Sequence, residues 1–239
     1  MRGLRWVVAT LGEVLVTIGL LVLLFVAWQL WWTDVTAERE QVVAVQSLER
    51  GFDHEGLQKP EPTAPTTPAP SATPKKIPVG KAFGIIRIPR FGGTFSRPVL
   101  EGTDRDTLVK GVGHYLGSAM PGEVGNLAMA GHRTTYGRPF HDIDRLRKGD
   151  VIVIETKDSY YVYAVDRHVI VTPNQVEVIA PTPQRPGVAP TEAWLTMTAC
   201  HPKYSAEKRY VVFAQLAETF SRAQGLPAPY KAVPKPAAT

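Results

Sequence analysis

Trp194–Leu216 reads WLTMTACHPKYSAEKRYVVFAQL. Its first part alternates as a strand does. Leu195, Met197 and Ala199 fall on one face, and Trp194, Thr196, Thr198 and Cys200 on the other. With the apolar set turned to a core, the Cys200 thiol opens onto a polar groove beside Thr196 and Thr198, two candidate substrate contacts. Arg209 lies nine residues beyond Cys200, at the head of a second apolar run, Tyr210–Leu216. Both faces of that run are apolar, so alternation does not decide where Arg209 points. Asn126–His132 (NLAMAGH) repeats the first layout: Leu127 and Met129 share one face, and Asn126, Ala128, Ala130 and His132 the other. A cysteine, a histidine and an arginine at three strand ends form a candidate acyl-transfer site.

Plainer readings compete with this one. Cys200 is the only cysteine, which excludes an intrachain disulfide and any CxxC metal or redox site. A lone cysteine is usually a small buried hydrophobe. Five other histidines (His54, His114, His141, His168 and His201) rival His132, and Arg209 also reads as a surface charge on an edge strand. A Cys200–His201 metal site lacks further ligands and no acidic cluster reads as a calcium site, so neither metal nor cofactor is expected. The net charge of +5 comes without a basic run interleaved with aromatics, so no nucleic-acid partner is expected.

Towards the N-terminus, Val14–Trp32 is nineteen residues without a charge. As a helix it spans roughly 29 Å at about 1.5 Å per residue, close to the hydrocarbon thickness of a bilayer. Trp28, Trp31 and Trp32 close its far end and Arg2 and Arg5 precede it, so residues 1–13 are expected in the cytoplasm and the remainder outside, in a single-pass membrane protein. A cleaved signal peptide with a site at Val35–Ala37 is the competing reading, against which stand the length of the run and its bulky end. Residues 33–58 have helix-like spacing (Val35, Val42, Val45, Leu48) and read as a stalk or a continuation of the anchor. Residues 59–78 hold seven prolines and read as a spacer reaching roughly 60 Å at about 3.1 Å per residue, enough to hold a domain off the membrane.

The folded part is expected at 79–222, followed by a loose Pro/Ala-rich tail, 223–239. Seven short strands are predicted: Ala82–Pro89, Arg97–Glu101, Asn126–Gly131, Val151–Thr156, Tyr160–Val171, Trp194–Ala199 and Tyr210–Leu216. Short helices are predicted at Thr103–Val109, capped by Thr103, and at Phe140–Leu146, capped by His141–Asp142. That pattern is mainly β, a barrel or a sandwich. The Pro-rich connection Thr172–Glu192 is either a functional wall or a tolerated insertion.

Three motifs, in order, carry a family resemblance: FGIIRIPR (Phe83–Arg90), PGEVGNLAMAGHRTTYGRPF (Pro121–Phe140) and LTMTACHPKYSAEKRYVVFA (Leu195–Ala214). Phe83–Ala217 resembles the sortases, membrane-anchored cysteine transpeptidases of Gram-positive bacteria. The CHPxxSAxxR run, with His114-Tyr115, is most similar to class E, the housekeeping class of high-GC actinobacteria. The resemblance implies an eight-stranded sortase β-barrel, with Cys200 as nucleophile, His132 as general acid/base and Arg209 holding the oxyanion or the substrate backbone. It implies that Thr172–Glu192 packs on a sorting signal of LAXTG type and that Tyr115 bears on signal choice. The implied partners are secreted proteins with C-terminal sorting signals and an amine of a lipid II-type peptidoglycan precursor. No aromatic-tipped lid of the pilin-polymerising type precedes the barrel, which favours wall attachment. The run before the cysteine departs from the family TLxTC: Met197 replaces leucine, and Ala199 replaces a threonine, which makes Ala199 a candidate for altered substrate handling. A non-enzymatic extracytoplasmic β-domain that binds wall or protein ligands, with Cys200 buried, is the alternative. An L,D-transpeptidase or papain-like peptidase finds no matching signature.

Overall fold

Alternation and pairing close eight strands into one barrel. The computed structural model describes residues 2–56 and 76–231. The strands are β1 (Ala82–Arg87), β2 (Ser96–Glu101), β3 (Val112–His114), β4 (Gly125–Ala130), β5 (Val151–Glu155), β6 (Ser159–Val171), β7 (Ala193–His201) and β8 (Lys208–Ser221). Their order around the barrel is β1-β2-β3-β4-β7-β8-β6-β5. The β2–β3 and β4–β7 pairs are parallel and the others antiparallel.

Seven of these strands coincide with predicted segments to within a few residues. β3 is the eighth, and three residues are too few for alternation to register. The interior is filled from alternate positions: Ile86, Val99, Leu127, Met129, Ile154, Tyr163, Leu195, Met197, Ala199 and Val212 share one buried cluster with Phe140. Tyr163 is fully buried because its hydroxyl accepts from the Gly122 N–H at 2.9 Å.

The short helices differ from expectation. α2 is Arg105–Lys110, and its cap is Asp104, whose carboxylate accepts from the Thr107 N–H at 3.0 Å, in place of Thr103. Phe140–Leu146 forms only a 3-10 turn, Ile143–Arg145, without a side-chain cap. Too few helical bonds form there because Phe140 and Ile143 are drawn into the barrel end. Residues 223–231 are not loose. Leu226 is buried with Val153 and Val162, and a single turn, α3 (Ala228–Lys231), follows it. Residues 232–239 lie outside the described part.

α1 is one continuous helix, Arg2–Gly56. Its first half presents exposed apolar side chains and is long and apolar enough to cross a membrane. Its second half docks on the barrel through Ala37, Gln41, Val45 and Phe52, a stripe at helical spacing with a glutamine in its middle. Val42, expected on that stripe, is exposed. Phe52 and Val45 pack on Ile85 of β1. Buried Glu155 joins Arg87 (2.9 Å) and Arg222 (2.8 Å), which reach Glu49 (2.5 Å) and Asp53 (2.8 Å) of α1. The distance from apolar segment to barrel is therefore set by α1. Most of the Pro-rich stretch 59–78, expected as a spacer, lies outside the described residues.

Candidate active site

Register brings the three predicted residues to one end of the barrel. Cys200 and Arg209 are directly paired across β7–β8, and directly paired residues share a face. In β4–β7, Ala130 pairs with Thr198, and the Gly131 N–H continues the ladder to the Thr198 carbonyl at 3.1 Å. Two residues beyond Ala130 and Thr198 come His132 and Cys200, on the same outward phase. Gly131 is required between them: a Cβ there would lie 2.6 Å from the Phe140 ring.

The histidines divide by what their nitrogens touch. Arg133 has only donors, so His201 Nδ1 accepts from it at 2.9 Å. His141 donates from Nδ1 to the Arg133 carbonyl (2.9 Å) and accepts from the Lys203 ammonium at Nε2 (3.2 Å). His114 lies between Glu101 (2.7 Å) and Ser118 (2.7 Å), and His168 stacks on Tyr210. His132 Nε2 is buried and has no hydrogen-bond partner among the described residues. A buried ring nitrogen without a partner is available for proton transfer. Burial, aided by the Arg105 cation, holds the His132 pKa below the ordinary histidine value. Neutral imidazole is thereby favoured at rest. Cys200 is part-exposed.

Arg209 Nη1 donates to the carbonyls of Ala206 (2.9 Å) and Lys208 (3.0 Å), which fixes one prong of its fork across from Cys200. Tyr115 lies next to β4 and β7: its N–H is bonded to the Ala128 carbonyl, and its hydroxyl lies 3.3 Å from Thr198 Oγ1, two residues before Cys200. Thr198 itself donates to the Met129 carbonyl at 3.2 Å.

Three of the candidate substrate contacts, Thr196, Thr198 and Ala199, are buried. Thr196 is fully buried and donates to Asn126 Oδ1 at 2.7 Å. Asn126 in turn donates to the carbonyls of Ala180 (2.9 Å) and Val178 (3.3 Å), so these two residues pin the Thr172–Glu192 connection over β4 and β7. Val178 and a 3-10 turn at Val176–Ile179 seal the cover against Val171, Val211 and Phe213. Ala199 points inward, 3% exposed, opposite Tyr210. A hydroxyl at 199 would enter the core and not the groove.

Sequence reasoning missed Arg133. It is 3% exposed, donates to the Cys200 carbonyl at 3.1 Å, pairs with Asp144 at 2.8 Å and lies over the Tyr210 ring at 5.6 Å. Its place next to His132 was the only available signal, because a buried arginine reads in sequence like a surface one. Tyr136, whose ring centroid lies 5.0 Å from that of His132, was missed as well.

Comparison with known proteins fits this geometry. Residues 86–217 match the sortase domain family. Sortase SrtE1 of Streptomyces coelicolor is 35% identical over 225 residues, covering 91% of this chain; the chain spans 59% of that relative's length. The structure of sortase E from Streptomyces avermitilis superposes with a TM-score of 0.58 at 41% identity, over 63% of this chain and 97% of that one. That of sortase E1 from Streptomyces coelicolor, solved with a tripeptide in the active site, gives 0.57 at 33% identity, over 62% and 96%. With its barrel, its three strand-end residues and these relatives, the chain belongs to the sortase family and resembles its class E members.

Proposed function

We propose that this protein is a membrane-anchored cysteine transpeptidase that cleaves the Thr–Gly bond of an LAXTG-like sorting signal and joins the threonine to an amine of a peptidoglycan precursor. The observation that supports the proposal is the shared end of β4, β7 and β8, to which strand register brings Cys200, Arg209 and His132, whose Nε2 has no hydrogen-bond partner among the described residues. The apolar half of α1 supplies the anchor, and the tripeptide in the solved relative's active site supports a peptide ligand.

The chemistry follows from the groups present. The Cys200 thiolate adds to the threonine carbonyl, and Arg209, always charged, offers its fork to the oxyanion. The intermediate collapses when imidazolium at His132 protonates the leaving glycine amine, giving a thioester acyl-enzyme and a free amine. The acceptor amine then adds to the thioester and loses a proton to His132; the thiolate departs and a new amide remains. Burial disfavours the imidazolium form of His132 in the resting enzyme.

The test is incubation of the full chain in detergent micelles with an LAXTG peptide and an amine, followed by mass spectrometry. An acyl-enzyme at Cys200 and an amidated product are expected, both abolished by Cys200→Ala; His132→Ala is expected to cost about 10³-fold or more in turnover. No cleavage by protein whose Cys200 is shown to be reduced would remove the proposal.

A further inference from the structure

The docked half of α1 touches more than the barrel wall. Gln41 is fully buried, 0% exposed, and its amide donates twice: to the Val109 carbonyl of α2 at 3.2 Å and to the Tyr136 carbonyl at 3.0 Å. Tyr136 belongs to the loop that leaves His132, and its ring lies against the imidazole. Around it the backbone is held in the left-handed region at three successive residues: Tyr136 (φ 53), Gly137 (φ 72) and Arg138 (φ 46).

For Tyr136 and Arg138 that conformation costs about 1 kcal/mol or more apiece, so it persists only where surrounding contacts hold it. Backbone bonds within the loop (Arg138 N–H to Thr135, Phe140 N–H to His132, His141 N–H to Arg138) hold part of it, and α1 supplies further contacts. Besides Gln41, Asp34 pairs with Arg138 at 3.4 Å, and Glu38 pairs with Arg97, which donates to the Gly137 carbonyl at 3.3 Å. A Cβ at Gly137 would meet the Gln41 amide at 3.0 Å, so the loop and the helix fit closely.

We propose that Gln41 is a positioning residue: by binding the Tyr136 carbonyl it holds the His132–Phe140 loop in the shape that sets the imidazole beside Cys200, which makes the anchor helix part of the active-site structure. The inference rests on the reading of Cys200 and His132 as the reacting pair. The chain of contact runs from Gln41 to the Tyr136 backbone, and from the Tyr136 ring to His132. Arg105, from α2, is a cation bearing on the same imidazole, and the paired Cys200 and Arg209 lie at the same barrel end on β7 and β8. A helix that merely tethered the barrel would not bury an amide to reach this loop. An apolar residue at 41 would pack as well and leave two carbonyls unpaired.

The test uses the full chain in detergent micelles, native and with Gln41→Leu, beside Val45→Ala as a docking control one turn further along α1. Peptide cleavage gives kcat and KM, and NMR of the His132 ring gives its titration without any substrate. Gln41→Leu is expected to lower kcat about tenfold with KM within about twofold of native. The His132 titration should move up towards the ordinary histidine value as the loosened loop admits water. Val45→Ala is expected to lower stability and leave both readouts unchanged. Gln41→Leu that matches Val45→Ala in kcat and in the His132 titration overturns the proposal. Should the native chain not cleave the peptide, the signal assignment fails, and the His132 titration still decides the role of Gln41.

Discussion

Replacing Arg133 with methionine keeps the buried stem and removes the guanidinium. The Cys200 carbonyl and His201 Nδ1, both bonded to Nη1, then lose their donor. Hydrogen bonds to a charged group are worth about 1.5–3 kcal/mol each. The Asp144 pair adds less than about 1 kcal/mol, since Asp144 is 40% exposed. The stacked Tyr210 ring adds about 0.5–2 kcal/mol. These terms are not independent, and the strand end relaxes towards water once freed, so the expected net loss is about 3 kcal/mol. In a domain of this size that lowers Tm by roughly 6–12 °C. Urea unfolding of the full chain measures the loss, and peptide turnover measures the effect on Cys200. Both should fall, because the carbonyl that Arg133 holds belongs to Cys200, the proposed nucleophile. Arg133→Lys should recover less than half of the stability, since a single ammonium cannot span the carbonyl, the imidazole and Asp144 together. A loss under about 1 kcal/mol with turnover within about twofold of native would show that Arg133 does not hold the cysteine strand.

Three further outcomes are expected. Arg209→Ala should lower kcat by about 10²–10³-fold, with little recovery in Arg209→Lys, which lacks the fork; a fully active lysine variant refutes the fixed-donor role. Arg105→Ala removes one of the two causes that depress His132, so the imidazole should keep its proton to a higher pH, and the change should be larger at low salt; an unmoved NMR titration shows that burial acts alone. Ala199→Thr should lower stability by about 1–3 kcal/mol through overpacking, with the ranking of signal peptides unchanged; an altered ranking would contradict the inward direction of residue 199.

The barrel strands were legible where apolar residues alternate for five or more positions, and the same alternation put Cys200 and His132 on the phase opposite the buried Leu195, Met197, Leu127 and Met129. It stayed silent on Arg209 because Val211 and Phe213, on the arginine's own face, are buried beneath the Thr172–Glu192 connection, whereas Tyr210 and Val212 face the barrel interior. Pairing with Cys200 settled it. β3 was too short to carry a period. Thr196 read as a groove residue because alternation reports a face and not what covers it; the cover is a loop pinned by Asn126, seventy residues away in the chain. Arg133 and Gln41 were invisible for one reason. Both are polar and buried, and only tertiary contact shows whether such a residue faces water or a set of carbonyls. Gln41 also interrupted the apolar stripe of α1, which hid the docking face and left residues 33–58 to be read as a stalk.

An unbroken α1 has a metric consequence. Gln41 lies nine residues past Trp32, roughly 13 Å along the axis at about 1.5 Å per residue. With the apolar half seated in a bilayer, the helix works as a ruler, and the loop carrying His132 stands at one fixed height above the interface whatever the length of the Pro-rich stretch. Under the proposed function, a sorting signal would be usable only where its own chain presents it within a couple of helical turns of the lipid, and the proposed peptidoglycan-precursor amine would have to reach the same level.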